Sequence, residues 1–385
     1  MNTCVLGAIG SYSLRCILEK KIILIYSPIN FLILSFLIIL FLSNVLSGYL
    51  GQAFSGVAYF ITNLIPFFII TFTISSTKGI NKYLILLIIL NVIMAVQGIV
   101  QYNTGVGLGG TTSVMSQKRI TGLGIFNDPN DLAMTLSCTI PFCVYLFSLT
   151  KNHLLKLFYI TSALALVYGI FLTNSRGGIL SLGGSLGYIL FRKFKNKLLA
   201  VIVGTLVLTL FIAFGPSRMS ELNSQEESAN DRIESWYVGV DLFKQNPLLG
   251  VGYGMFTEYH HLTAHNSFVL AFSELGIIGF ICWLALFYFS ARNLLIIDIS
   301  KKELSNLALI FESCFLSILM SIFFLSRTYN ILLYIFFALS VSIYREHLLT
   351  FKNDINYICI NDILIVTTVA TTFVAGIFLI TRVCL

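Results

Sequence analysis

The sequence predicts an all-α, polytopic helical membrane protein. Of its 385 residues, 57% are hydrophobic and only 11% are charged, whereas a soluble protein carries about 25% charged residues. Continuous apolar runs of about 20 residues, the length that spans a bilayer as a helix, recur along the chain. Strands of a membrane β-barrel would instead alternate apolar and polar residues over about 10 positions. The runs are therefore predicted to be membrane-spanning helices.

The apolar runs predict about eleven spans within one integral membrane domain, residues 1–385. The sixth run is short for a span. The predicted spans are 22–43, 56–76, 83–102, 130–149, 154–172, 177–191, 198–215, 267–289, 304–325, 328–344 and 361–381.

The distribution of basic residues predicts the orientation. With the N-terminus in the cytoplasm, two thirds of the 24 Lys and Arg residues fall in segments on the cytoplasmic side, as the positive-inside rule requires. Arg15, Lys20 and Lys21 precede the first run, which we interpret as a retained first span and not as a cleaved signal peptide. The arginines on the outside are exceptions, and each needs a reason.

Two of the outside segments are long, 103–129 and 216–266. Connections in compact helix bundles are usually short, and long ones tend to be functional or disordered. The second segment has the pattern of a helix over 231–244, with an apolar residue recurring on one face. Asn230 or Asp231 is expected to cap it, and Asn246-Pro247 to end it. We therefore expect a long external loop that contains short helices.

Composition argues against several classes of function. The net charge is +7, but the basic residues lie in short loops between spans, so we expect no nucleic-acid partner. The eight cysteines form no CxxC pair and lie mostly in apolar runs, which favours a packing role. The run Gly250-Val251-Gly252-Tyr253-Gly254 follows no predicted strand and is interpreted as a tight turn, not as a nucleotide site. No cofactor is expected.

His265 and Glu274 are the first candidate site residues. His265 precedes the eighth span, where a neutral imidazole could take a proton from a hydroxyl; alternatively, it is an interfacial histidine or part of a helix cap. Glu274 lies inside the span, where a structural pairing and a functional use are both consistent with a buried carboxylate. His261 and His265 have a spacing of four, but no third ligand is evident, so zinc is not favoured.

Two outside arginines are further candidates. Arg176 lies in Asn174-Ser175-Arg176-Gly177-Gly178, where glycines would let the backbone approach an anion and the guanidinium could bind phosphate oxygens. A snorkelling arginine is the alternative. Arg232 is expected in the first turn of the external helix, an unfavourable place for a positive charge, and a surface pair with Glu234 or Asp231 would also explain it.

The end of the first long loop is a third polar cluster, over 122–131. Asp128 and Asp131 could bind a cation or a sugar, but a turn followed by an N-cap for the fourth span is favoured. Lys118 and Arg119, just before it, could add to an external anion site.

The segment from His265 also carries a family resemblance. His265-Asn266, nine residues, then Gly276-Ile277-Ile278-Gly279 resembles the signature of O-antigen ligases and the related O-antigen polymerases. The stretches 122–133, 173–178 and 232–252 are similar to that superfamily as well. The specific part of the resemblance covers about residues 120–280.

The resemblance implies an inverting, metal-independent glycosyltransferase of the bacterial inner membrane, with a periplasmic active site and a glycan on undecaprenyl pyrophosphate as donor. On matching positions, His265 would be the base on the acceptor hydroxyl, and Arg176 and Arg232 would hold the pyrophosphate. Asn266 belongs to the motif and is expected to bind substrate. Arg119 and Glu274 match no family position firmly, and their substrate-binding role is inferred from location.

The acceptor remains open at this point. A ligase would transfer a finished glycan onto lipid A-core or another surface polysaccharide acceptor, and a polymerase would transfer it onto a second lipid-linked glycan. A protein acceptor is less favoured because the chain has no appended soluble domain. A polysaccharide transporter is also less favoured, since transporters often show paired repeats with broken helices and the polar residues here cluster on one side of the membrane.

Overall fold

The structure, a computed structural model, describes residues 27–108, 110, 112, 119–199, 201–202, 204–205, 227–297, 302–351 and 357–384. All regular elements in these ranges are helical, as predicted. The helices are Pro28–Leu46 (α1), Leu50–Thr73 (α2), Thr77–Thr104 (α3), Pro129–Leu149 (α4), His153–Leu172 (α5), Arg176–Lys193 (α6), Glu227–Gln245 (α7), Phe256–Tyr259 (α8), Ser267–Leu295 (α9), Lys302–Phe323 (α10), Ile331–Phe351 (α11) and Ile360–Cys384 (α12), with a 3-10 turn at Gly124–Phe126.

Within the described residues, nine helices, α1 to α5 and α9 to α12, are long and apolar enough to cross a membrane. They coincide with nine of the predicted spans, which confirms a polytopic helical membrane protein. The helix α6 covers the predicted sixth span but also carries Arg176, Arg192 and Lys193. The predicted seventh span, 198–215, falls mostly outside the described residues.

The chain divides into two compact units. The first unit is made of 1–77, 225–298 and 326–385, and the second of 78–224 and 299–325. The first therefore holds α1, α2, α7 to α9, α11 and α12, and the second holds α3 to α6 and α10. That 1–385 is a single domain stays a prediction.

The helix α9 is the core of the first unit. In the most apolar part of α9, 83% of the residues are buried, because α1, α7, α11 and α12 all pack against it. Large aromatic side chains fill this core, and Trp283 is fully buried. The indole N–H of Trp283 donates to the carbonyl of Thr328 at 3.2 Å, so a polar group in the apolar interior has its partner.

In the second unit, α4 lies against α5, α6 and α10. Small hydroxyl side chains allow these helices to approach closely, as is common between helices in membranes. Ser137 and Ser317 are 3.2 Å apart at their hydroxyl oxygens, and Ser181 and Ser321 are 2.6 Å apart. These contacts hold α10 against both α4 and α6.

A break in α9 at Gly276 is the feature of the first unit that shapes the N-terminal part of this helix. Gly276 has φ 62° and ψ −168°, a conformation that interrupts the helical hydrogen-bond ladder. The N–H groups of Ile277 and Ile278 donate instead to the carbonyls of Pro247 and Leu248, at 2.8 and 3.2 Å. The chain over 246–254, which we call the inserted segment, therefore enters the break.

The inserted segment also supplies the missing donors. The carbonyls of Ser273 and Glu274, which a continuous helix would pair with residues four positions later, accept from the N–H groups of Val251 and Gly252 at 3.0 Å each. Two donors and two acceptors freed by the break are thus all satisfied. Unpaired backbone groups would cost several kcal/mol each within a membrane, so the segment and the break stabilise each other.

Glycine is required on both sides of this contact. A Cβ on Gly250 would overlap the backbone of Glu274, and a Cβ on Gly276 would overlap the backbone of Leu248. Both glycines also have positive φ, 70° and 62°, which other residues adopt only at a cost. The predicted tight turn at 250–254 is therefore a backbone insert in a membrane helix.

The helix α7, which is the predicted external helix, ends at Gln245, before Asn246-Pro247, as predicted. It begins at Glu227, earlier than the predicted start at 231, so Asn230 and Asp231 lie inside the helix and the prediction that one of them caps it is wrong. Arg232 therefore lies in the second turn, and its charge does not oppose the helix dipole in the first turn.

Candidate functional site

His265 stands immediately before α9 in a left-handed backbone conformation, with φ 49°, and its side chain is half-buried. A non-glycine residue with positive φ is uncommon outside special sites. Asn266, the next residue, is fully buried, and its side-chain oxygen accepts from the N–H groups of Phe268 and Val269 at 2.9 and 3.2 Å. Asn266 therefore caps α9 and fixes the position at which His265 is presented.

The side-chain nitrogen of Asn266 takes no part in this cap. Its side-chain nitrogen is buried and has no hydrogen-bond partner among the described residues. A buried amide donor without a partner is costly. The whole side chain of Asn266 is buried, so its role as the cap of α9 is the one the structure supports, and its substrate contact stays a prediction.

The loop between α10 and α11 is attached to the same helix end. The backbone N–H of Arg327 donates to the hydroxyl of Ser267 at 2.7 Å, and the hydroxyl of Thr328 donates to the carbonyl of Ser267 at 2.7 Å. Arg327 is thus a third arginine beside the candidate site, which we did not single out from the sequence. The available signal was its place among the few outside basic residues.

The helix α7 brings Arg232 to the same end of α9. Gly239 packs directly on Val269, and Phe243 meets Phe272 with ring centroids 5.4 Å apart, so the two helices run in the same direction. Arg232 lies seven residues before Gly239, about 10 Å along the axis, and His265 lies four residues before Val269. Arg232 is half-buried.

One further contact joins α7 to the loop that carries His265. The imidazole of His260 lies 3.7 Å from the carboxylate of Glu234, two residues after Arg232. His261 is exposed, and its ring lies 4.5 Å from that of His260. The first unit therefore brings Arg232, His265 and Arg327 to one end of α9.

Glu274 is buried within α9, two residues before the break at Gly276 and so on the side of the capped N-terminal end. One carboxylate oxygen accepts from the backbone N–H of Phe256 at 3.0 Å, and the other from the hydroxyl of Tyr329 at 2.8 Å. The phenol of Tyr329 is protonated at neutral pH and can donate, and burial raises its pKa still further above the ordinary value. Glu274 thus holds two loops to the helix, as the structural interpretation of this residue requires.

In the second unit, Arg176 is the first residue of α6 and is half-buried. Ser175 caps the helix, with its hydroxyl accepting from the N–H of Gly178 at 3.2 Å. The same hydroxyl donates to the side-chain oxygen of Asn130 at 2.8 Å. The residue before the cap, Asn174, has φ 54°. Arg176 is therefore presented by a tightly defined turn.

Arg119 braces this turn from the other side. Its Nε donates to the carbonyl of Thr173 at 2.8 Å, and its Nη2 donates to the side-chain oxygen of Asn130 at 2.9 Å. Two N–H groups of its guanidinium are thus used in hydrogen bonds within the protein. The geometry supports a positioning role for Arg119 toward Arg176.

The cluster over 122–131 is a turn and a cap, the interpretation favoured from the sequence. The carboxylate of Asp128 accepts from the N–H groups of Asn130 and Asp131 at 2.8 and 3.2 Å and so caps α4. The chain before it is held by Gln101, which donates to the hydroxyl of Thr121 at 3.1 Å and accepts from its N–H at 2.8 Å. Lys118 lies outside the described residues.

Comparison with known families finds a match in the middle of the chain. Residues 161–284 match the family model described as O-antigen ligase, and the matched range contains Arg176, Arg232, His265 and the broken part of α9. Arg119 precedes it. A comparison with curated proteins gives no match. Nine helices in the described part of the chain are able to span a membrane, so the protein is a polytopic membrane protein, and the match of its segment 161–284 supports a function of the O-antigen ligase or polymerase type in general.

Proposed function

We propose that the protein is an inverting, metal-independent glycosyltransferase on the periplasmic face of a bacterial inner membrane. It transfers a glycan from undecaprenyl pyrophosphate to a hydroxyl of lipid A-core or of another surface polysaccharide acceptor. The observation that carries the proposal is His265 at the capped end of a membrane helix, with Arg232 and Arg327 at that same end.

The proposed reaction is a single displacement. The acceptor oxygen attacks the anomeric carbon of the donor sugar while the bond from that carbon to the pyrophosphate oxygen breaks. The neutral imidazole of His265 takes the proton of the acceptor hydroxyl, and the lipid pyrophosphate leaves with the electron pair. Attack from the face opposite the leaving group inverts the anomeric centre.

The leaving group gains negative charge, which preplaced cations can neutralise. We assign this role to Arg176 and Arg232, with Arg327 as a further contributor in the first unit. Arginine suits a pyrophosphate better than lysine, because its planar fork of donors matches pairs of phosphate oxygens. The apolar surfaces of the spanning helices are suited to the prenyl chain of the donor.

Arg176→Lys and Arg232→Lys are each expected to lower transfer by at least about tenfold, since a lysine keeps the charge but loses the bidentate contact. The measurement is the rate of transfer by purified protein at several donor concentrations. Arg382→Lys, on the exposed last turn of α12, is the control and should leave the rate unchanged. Normal rates in both test variants would contradict forked pyrophosphate contacts.

Arg119→Ala is expected to raise the KM for the lipid-linked donor severalfold while changing the KM for the acceptor little, since it releases the turn that presents Arg176. Arg119→Lys should restore part of the loss, because one of the two donor directions remains. Comparing both KM values separates this role from a general loss of stability, which would lower the active fraction without shifting either KM. An unchanged donor KM in Arg119→Ala would contradict the positioning role.

Deleting the protein from its host and examining glycans on gels tests the function and separates ligase from polymerase. Loss of a ligase leaves long chains on the lipid carrier and none on the acceptor, whereas loss of a polymerase leaves single repeat units. The polymerase uses the same displacement with another lipid-linked glycan as acceptor, so the site alone supports both. Unchanged surface and lipid-linked glycans in the deletion strain would refute the proposed function.

A further inference from the structure

The first unit contains a cavity of about 460 Å³ beside Glu274. It is formed by the first turns of α2, the inserted segment with α8, the start of α9 and the loop before α11. The residues that line it are Gln52, Ser55, Gly56, Tyr59, Tyr253, Gly254, Phe256, Thr257, Thr263, Leu270, Glu274 and Tyr329.

One face of α2 forms a wall of the cavity. Gln52, Ser55, Gly56 and Tyr59 have the spacing i, i+3, i+4, i+7, which places them on one side of a helix. A Cβ on Gly56 would lie 2.8 Å from the ring of Tyr253, so glycine here lets that ring form the adjoining wall. The cavity is thus built by the sequence of α2 and depends on the inserted segment.

The lining excludes an anionic ligand. None of the lining residues is Lys, Arg or His, so a pyrophosphate would find no compensating charge. The one charged group, Glu274, already accepts from Phe256 and Tyr329. The occupant that fits is therefore uncharged.

The lining is also too polar for a prenyl or acyl chain. The hydroxyls of Tyr59, Thr257 and Thr263 and the amide nitrogen of Gln52 line the cavity, and none of the four has a hydrogen-bond partner among the described residues. An apolar chain would leave these groups without partners and without water, which is costly. A ligand that carries hydroxyls would satisfy them.

Aromatic rings form another part of the cavity lining. Tyr253 and Tyr329 meet edge to face with centroids 4.5 Å apart, and Tyr59 is 64% exposed. Such rings present an apolar face together with a polar tip. A pyranose has the same mixture, with C–H groups on its faces and hydroxyls around its edge.

We propose that this cavity binds an uncharged sugar ring of a glycan substrate. The proposal rests on the proposed glycan transfer. Thr263, which lines the cavity, lies two residues before His265. A sugar bound in the cavity therefore lies beside the segment that carries the proposed base. The sugar belongs either to the donor glycan or to the acceptor glycan, and the kinetic experiment below separates these sources.

The first test is direct binding to the purified full-length protein in detergent. The probes are the methyl glycosides of glucose, galactose and N-acetylglucosamine, observed by saturation-transfer NMR. At least one should bind to wild type and to His265→Ala. The double variant Gln52→Ala/Thr257→Val should weaken that binding on the order of tenfold, since two hydrogen bonds are lost. Thr62→Val, on α2 but outside the cavity lining, should not.

Binding equal in all variants, or binding of no glycoside to wild type, would overturn the proposal; melting temperatures confirm that each variant is folded. In the transfer assay, the double variant should raise the KM for the acceptor or the KM for the donor, which identifies the source of the sugar. If neither KM changes, the cavity is not a sugar subsite. A wild type that binds glycosides but transfers none would refute the proposed function and leave the sugar site standing.

Discussion

His265→Ala is expected to lower glycan transfer by at least about 100-fold, because a positioned general base contributes about 10² to 10⁴ in rate. Alanine cannot accept the proton of the attacking hydroxyl, while Asn266 continues to cap α9. Protein level and melting temperature should therefore stay close to those of wild type. The measurement is the rate of transfer with purified protein, alongside surface and lipid-linked glycans in a deletion strain that carries the variant.

His261→Ala is the matched control for this variant. His261 is four residues earlier in the same loop and is exposed, so its replacement removes an imidazole from the loop without touching α9. It should keep normal activity. Full activity of His265→Ala at a normal protein level would refute the role of base. Equal losses in both histidine variants would show instead that the loop as a whole, and not His265, is required.

The spanning helices could be predicted because burial in a bilayer leaves a local signal. An apolar run of sufficient length is visible without any knowledge of its neighbours. In the part of the chain that the structure describes, nine helices meet this condition, and all nine coincide with predicted spans. The start of α7 at Glu227 was missed because a polar helix outside the bilayer has no such run. Its cap had to be judged from two single residues, Asn230 and Asp231. Such residues favour caps over helix interiors, but here both lie inside the helix.

The candidate site could be located from the sequence, but its construction could not. The bonds between the inserted segment and the break in α9 join the backbones of residues that are 22 or 30 positions apart, and backbone contacts leave no side-chain pattern. The Gly-x-x-Gly part of the motif indicated where glycine is needed in α9, but not why it is needed there. The structure supplies that reason for Gly276, whose hydrogen is the only side chain that the backbone of Leu248 permits.

Arg119 illustrates the same limit for a charged residue. From the sequence, its place beside Lys118 on the outside suggested an anion site. The structure directs its guanidinium to the carbonyl of Thr173 and to Asn130, 54 and 11 positions away in the chain. Position in a loop can show that an arginine is on the correct side of a membrane, but only the fold shows what it contacts.

Gly276→Ala is expected to destabilise the protein by at least about 3 kcal/mol. The backbone conformation of Gly276, with φ 62° and ψ −168°, is essentially restricted to glycine and costs an alanine about 1–3 kcal/mol. The added methyl group must also displace the backbone of Leu248, which weakens up to four hydrogen bonds worth about 0.5–1.5 kcal/mol each. The measurement is the melting temperature in detergent together with the protein level in the membrane. Transfer should fall as well, because the segment before His265 enters this break.

The reason for the loss can be isolated with two further variants. Gly376→Ala, in α12, adds the same methyl group at a helical position where nothing lies within 4 Å, so its melting temperature should be unchanged or higher. Gly250→Ala breaks the same contact from the other side, so the double variant with Gly276→Ala should cost clearly less than the two single losses added together. If the losses add fully, or if Gly276→Ala melts like Gly376→Ala, the inserted segment and the break are not one coupled structure.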